Sequence, residues 1–340
     1  MSQSSGNSTN GARGQASDQK TRKPLLFLMG SDQIIRYLPL LLLLIIIVIL
    51  GAFVPHFLTT RNIINVLRQS SALGLMAIGM TAVLIGGGID LSIPAIMTLG
   101  GILGAMYMRG GGDPVFASLI MVGTCTCAGA VNGYVVAYLR MIPFVVTLSM
   151  MYVATGASIW LTREVSVAGL HPAFLDTVMS KVWIIPTPVL ALLIMTAVVV
   201  LMMRNSIYGR WLYAVGSNPE VARSLGIPKN LIILGTYVFG GFFAGLAAII
   251  TTARLMSASA TMGAEGIVLS VISAAVVGGV SVYGGVGSPL GAVIGAVFIT
   301  MISNTMNMMH VSYFMTLFVK GCVIVSVVAL DSLRRGRRNQ

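Results

Sequence analysis

Ten runs of apolar residues, each near the length of a membrane helix, constrain this chain more than any other feature. They fall at about 37–54, 72–86, 94–108, 115–138, 142–162, 188–203, 230–252, 266–282, 289–306 and 312–330. Leu, Ile, Val, Ala, Gly and Met follow one another in them without the period-2 alternation of a lipid-embedded barrel. Inside lipid every backbone N–H and C=O must be satisfied within the segment, so runs of this kind are helices. Apolar residues make up 56% of the 340 positions against 9% charged, and mean hydropathy is +0.92, which excludes a soluble domain. The expected fold is all-α, a polytopic membrane helix bundle of about ten transmembrane helices.

Charge sets the expected orientation. Of the 21 Lys and Arg, fourteen fall on the side that holds both ends of the chain, six on the opposite side, and Lys320 lies within the last span. Basic residues collect on cytosolic flanks, so both termini are placed in the cytosol. The first run is too long and too apolar for the core of a signal peptide and is read as a retained helix. Residues 1–24 are expected as a disordered cytosolic tail, 25–331 as one transmembrane domain and 332–340 as a basic cytosolic tail. Spans two to five and seven to ten enter from opposite sides, the arrangement of an inverted repeat. The longest outer loop, 162–186, reads either as a docking surface with a short interfacial helix or as a cap on the bundle.

The net charge of +12 does not point to nucleic acid, because the cations sit at span ends and are not interleaved with aromatics on one face. Gly100 with Gly104, Gly129 with Gly133, Gly241 with Gly245 and Gly291 with Gly295 are each four apart, the spacing that lets helix backbones approach closely. Cys125, Cys127 and Cys322 lie in apolar runs without metal spacing and are read as small core residues. No Ser-His-Asp, Cys-His or metal-ligand constellation is present, so no catalytic residue is assigned.

Three stretches stand out from the hydrocarbon. The first is Gly86-Gly87-Gly88-Ile89-Asp90-Leu91-Ser92, a tight turn in which Asp90 and Ser92 can accept from free N–H groups at the next helix start. Capping is the simpler reading of Asp90; the other is a carboxylate that holds an ion or a sugar hydroxyl. The second is the polar, basic interruption Arg204 to Lys229. Within it Ser217, Asn218 and Pro219 form a helix start, Glu220 to Leu225 give about two turns, and Gly226 stops them. A helix this short needs outside contacts, and Trp211, Leu212, Tyr213 and Leu225 are more apolar than a solvated loop requires, which suggests a partner surface.

The third stretch, Gly278 to Gly287, is rich in glycine but gives GxGxxxG with no preceding strand. No lysine follows a glycine, so a phosphate-binding GxxxxGK[ST] loop is absent and no nucleotide or other cofactor is assigned to this chain. Lys320 is the costly charge, either lining a polar path or pairing with a helix-end carbonyl or an acid such as Glu265. Ser303, Asn304 and Asn307 in a late span, with Thr147, Ser149 and Tyr152 in span five, read either as a polar pathway or as helix-to-helix hydrogen bonds.

GGGIDLS, the loop GRWLYAVGSNPEVARSLGI and GGVSVYGGVG together resemble the permease subunits of bacterial ABC sugar importers of the ribose, xylose, arabinose and galactose class. The resemblance runs from about Phe57 to Asp331. It implies a permease in the bacterial inner membrane that pairs with a second permease chain. It also implies that a monosaccharide or similar polyol arrives from a periplasmic binding protein, and that a separate cytosolic ATPase binds the ATP. In that family the loop between spans six and seven holds the coupling helix, which maps onto Asn218 to Gly226, with Glu220, Ala222, Arg223 and Gly226 on matching positions. Gly88, Asp90 and Ser92 fall on the turn motif. The departures are Pro94, where the family usually has glycine, and the order Ser224-Leu225. A secondary carrier or facilitator for a small polar solute is the alternative, weakened by the lack of a midplane acid; a purely structural scaffold would not need the GGGIDLS turn.

Overall fold

The computed structural model describes residues 40–325 except 42, 264, 313, 323 and 324, so both expected tails lie outside the described residues. The chain order is α1 (Leu43–Phe53), α2 (Thr60–Ile85), α3 (Ile93–Arg109), α4 (Pro114–Ala137) and α5 (Pro143–Thr162). Then follow α6 (Pro172–Met179), a hairpin of β1 (Lys181–Val182) and β2 (Ile185–Pro186), α7 (Thr187–Asn205), α8 (Ile207–Ser217) and α9 (Pro219–Ser224). The last elements are α10 (Lys229–Leu255), a 3-10 turn (Ala260–Gly263), α11 (Glu265–Val277), α12 (Pro289–Met308) and a helical segment over 314–322.

Proline explains where many helices start. Pro94, Pro114, Pro143, Pro172, Pro188, Pro219 and Pro289 each occupy the first or second helical position, where the missing N–H leaves no hydrogen bond unmade. Asp113 adds a side-chain cap, accepting from the N–H groups of Val115 and Phe116.

Among the described residues, seven helices are long and apolar enough to cross a membrane, and they coincide with seven of the ten apolar runs. The remaining runs correspond to shorter apolar helices, α1 and the 17-residue α3, and to the segment 314–322. α2 begins at Thr60 rather than near 72. Thr59 accepts from the Asn62 N–H, and Arg61, Asn62, Asn65 and Arg68 occupy turns of the same helix beyond the apolar run. At the other extreme α11 stops at Val277 rather than 282, because Gly279 takes a φ of 85° and the N–H groups of Gly278, Gly279 and Val280 close on the last carbonyls.

The core lies along α2 and α10. Every residue from Ser70 to Ile85 is buried, the pattern of a helix surrounded by other helices. α4 and α5 behave differently: α5 buries only Val146, Thr147, Ala154, Ser158 and Thr162, one stripe of an otherwise exposed apolar helix. That is the outward face of a protein whose solvent is hydrocarbon.

All four glycine pairs sit at helix crossings. A Cβ on Gly100 or Gly104 would meet the Cys125 thiol or Met121 of α4. On Gly129 or Gly133 it would meet α10 backbone, and on Gly241 or Gly245 it would meet α4 backbone. Gly291 and Gly295 press on Gly278 and Ala274 in the same way. Cys125 is buried and donates to the Ile96 carbonyl over 3.1 Å, whereas Cys127 and Cys322 are exposed, so only the first is a core residue.

The 162–186 loop carries the expected short helix and caps the bundle. It contains the short helix α6, capped by His171 through the Ala173 N–H, and its Leu170 and Phe174 are buried in the core. Val167 bridges to Ala258, so the loop covers this end of the bundle.

Candidate functional site

The Arg204–Lys229 stretch is more ordered than a loop. Ser206 ends α7 and caps α8 by accepting from the Gly209 N–H over 3.0 Å, and Leu212 and Val215 of α8 are fully buried. The reading of residues 204–217 as loop missed this helix, because Gly209 and Gly216 lower its propensity while burial of one face supplies its stability. It also corrects the assignment of Leu212 and Tyr213 to a partner surface, while Trp211 and Leu225 are exposed. Leu212 faces the core, and Tyr213 is half-buried with its hydroxyl donating to the Gly287 carbonyl over 2.8 Å. Burial pushes the Tyr213 phenol pKa up.

α9 follows at once. Asn218 Oδ1 accepts from the N–H groups of Glu220 and Val221, both over 3.1 Å, and is the cap that the motif implied. Ala222 is buried and anchors the helix, while Glu220, Val221, Arg223 and Leu225 are exposed, Leu225 to 73%. Gly226 has a φ of 77°, a left-handed conformation that lets the Gly226 and Ile227 N–H groups return to Arg223 and Ala222. α9 therefore presents Glu220, Val221, Arg223 and Leu225 outward on a fixed mount.

That mount touches both other motifs. A Cβ on Gly216 would collide with the Ile85 carbonyl at the end of α2 and would reach the Gly285 N–H at 2.7 Å. The Gly285 N–H donates to the Ile85 carbonyl over 2.9 Å, and the left-handed Gly284 and Gly285 lie against Gly216, Ser217 and Gly87. Thus the start of GGGIDLS, the end of α8 and the turn between α11 and α12 meet at one point, two residues before the α9 cap. Sequence reading singled out the three stretches separately.

GGGIDLS itself continues into a buried polar centre. Asp90 is fully buried; its Oδ1 accepts from the Ser92 N–H over 2.9 Å and from the Ser92 hydroxyl over 2.6 Å. The expected capping is therefore carried by Asp90, whereas the Ser92 side chain caps no N–H and instead accepts from Asn132 Nδ2 of α4 over 2.9 Å. Tyr237 of α10 comes close to this turn, its hydroxyl lying 2.5 Å from where a Cβ on Gly88 would stand. Asp90 Oδ2, Asn132 Oδ1 and the Tyr237 hydroxyl are buried without a hydrogen-bond partner. Asn132 and Tyr237 were missed in the sequence; Asn132, set between Gly129 and Gly133 in an apolar run, was the available signal.

The pathway candidates do not converge. Thr147 is buried and donates to the carbonyls of Pro143 and Ile89, tying α5 to the GGGIDLS turn. Ser149 and Tyr152 face outward. Asn304 donates to Asn62 Oδ1 of α2 over 2.8 Å, Ser303 bonds the Ile299 carbonyl, and Asn307 is exposed. Lys320 is half-buried and donates to the Ser270 hydroxyl of α11 over 3.3 Å; the Glu265 side chain lies outside the described residues.

The sequence has a counterpart among known families. The model of the permease component of the branched-chain amino acid transport system matches residues 62–328. The chain belongs to that permease family. As a permease it is a multi-pass membrane protein and a transport subunit rather than a catalyst. It is 36% identical to the ribose import permease of Bacillus subtilis (strain 168), over 86% of this chain and 91% of the relative. It is 34% identical to the D-allose transport system permease of Escherichia coli (strain K12), over 93% and 97%. It is 29% identical to the L-arabinose ABC transporter permease of Azospirillum brasilense, over 87% of each chain. No solved structure matches the permease.

Proposed function

We propose that this permease is the membrane subunit of an ATP-driven importer that carries a monosaccharide or similar polyol across the bacterial inner membrane. The observation that carries the reading is the junction at Gly216, where the α8–α9 mount meets the end of α2 and the α11–α12 turn. A force applied to the exposed face of α9 would reach two spanning elements through backbone contacts that leave no room for a side chain. Sugar as the substrate class is supported by the relatives named for ribose, allose and arabinose.

In this reading both termini and the α9 end face the cytosol, in keeping with the charge asymmetry. About ten helices cross the membrane, with α1, α3 and the segment from 314 completing the set, and the opposed directions of spans two to five and seven to ten form an inverted repeat. Two permease chains pair, a periplasmic binding protein delivers the sugar, and a cytosolic ATPase binds ATP and docks on Glu220, Val221, Arg223 and Leu225. This chain binds no cofactor. Alternating access is then a rigid-body change.

A gradient-driven carrier would need an acid that takes up a proton or cation within the translocation path. Asp90 is the buried carboxylate among the described residues, and it is engaged at a helix start by Ser92. Reconstitution of the permease with candidate ATPase and binding protein tests the proposal. Uptake should require ATP hydrolysis; equal uptake with the ATPase left out would overturn it.

A further inference from the structure

Beside α9 lies a cavity of about 630 Å³ between the α4–α5 turn and the start of α10. Its rim carries Arg140 from the α4–α5 turn, Arg223 from α9 and Lys229 from the first position of α10, against one acid, Glu220. Its lining also includes Val136 and Ala137, both buried, and the partly buried Ile233, which belong to the ends of the spanning helices α4 and α10. The chain around the mouth exposes Tyr138, Leu139, Met141, Ile142 and Leu231, apolar side chains continuous with the outward face of α4 and α5.

Three cations on three separate elements, over an apolar wall at a membrane boundary, form a site with two solvents. A soluble anion would satisfy the rim and leave the wall unused. The carboxylate of a docked protein would do the same, and a protein surface cannot extend into hydrocarbon. An amphiphile with a negative headgroup matches both parts. We infer that this cavity binds the headgroup of one anionic phospholipid, its acyl chains running along α4 and α5, so that a lipid phosphate ties the α9 mount to the α4–α5 turn. Basic clusters at a cytosolic membrane face attract such lipids, each cation contributing on the order of fivefold in affinity. The inference rests on the cytosolic placement of this end and shares Arg223 with the proposed ATPase face; loss of lipid binding with ATP-driven uptake intact would leave the transport reading standing.

Native mass spectrometry of the purified full-length permease in neutral detergent, with phosphatidylglycerol or phosphatidylcholine added, tests it. The wild type should retain one phosphatidylglycerol per chain under conditions that strip phosphatidylcholine. The double variant Arg140→Gln/Lys229→Gln should bind it on the order of thirtyfold more weakly. Arg204→Gln/Arg210→Gln removes two cations of the same end that do not line the cavity and should bind as the wild type does. Thermal melts confirm that each variant is folded. Equal retention in both double variants, or equal loss in both, would overturn the inference. Displacement of the lipid by soluble glycerol phosphate would show a free-phosphate site, and expulsion of the lipid on adding the ATPase would show a protein docking site; either result also overturns it.

Discussion

At the scale of single residues, the two glycines around α9 do different work, and the difference is measurable. Gly226 has a left-handed φ and nothing within 4 Å of where a Cβ would stand, so Gly226→Ala meets backbone strain alone, about 1–2 kcal/mol. Gly216→Ala places a methyl against the Ile85 carbonyl and forces the junction apart, a packing cost of roughly 1–3 kcal/mol together with displacement of α9. Thermal unfolding in detergent should show both losses, and only the second should alter coupling out of proportion to stability. In the buried centre, Asn132→Leu removes the donor to the Ser92 hydroxyl, which keeps its bond to Asp90, at about 0.5–1.5 kcal/mol. Asp90→Asn should be milder, since its amide can put a donor where Oδ2 now has no partner and Oδ1 can still accept from Ser92. A melt in which Asp90→Asn is the more damaging of the two would contradict this arrangement.

At the scale of elements, the spans were legible because burial of backbone in lipid demands long apolar helices, and the glycine pairs were legible because a fixed spacing of four marks a close crossing. Gly241→Val should therefore cost roughly 1–3 kcal/mol by driving α10 from α4, read as a lower melting temperature and a lower yield of folded protein. The Asn304 to Asn62 bond joins α12 to α2, and Asn304→Ala should cost about 0.6 kcal/mol, the usual worth of an interhelical hydrogen bond in a bilayer. α8 was not legible, since its eleven residues contain two glycines and its helicity follows from burying Leu212 and Val215. The early start of α2 was missed for a related reason: its first turns are polar, and only the Thr59 cap and later packing make them helical.

At the scale of the whole molecule, membrane embedding could be read from the apolar runs and the family from the order of three motifs, but the meeting of those motifs at Gly216 could not, because it joins residues from the ends of α2, α8 and the α11–α12 turn. Asn132 and Tyr237 escaped for the same reason: nothing local links α4 and α10 to the Asp90 turn. The dispersal of Asn304, Thr147, Ser149 and Tyr152 is in keeping with the proposed delivery of substrate by a binding protein, in which case Tyr152→Ala should leave the choice of substrate unchanged in competition assays. The central claim is that α9 transmits work through the Gly216 junction. The number of sugars imported per ATP hydrolysed, measured in proteoliposomes containing ATPase and binding protein, tests it most directly in Gly216→Ala against wild type. The account predicts that hydrolysis persists while uptake falls several-fold in protein that remains folded; an unchanged ratio would contradict it.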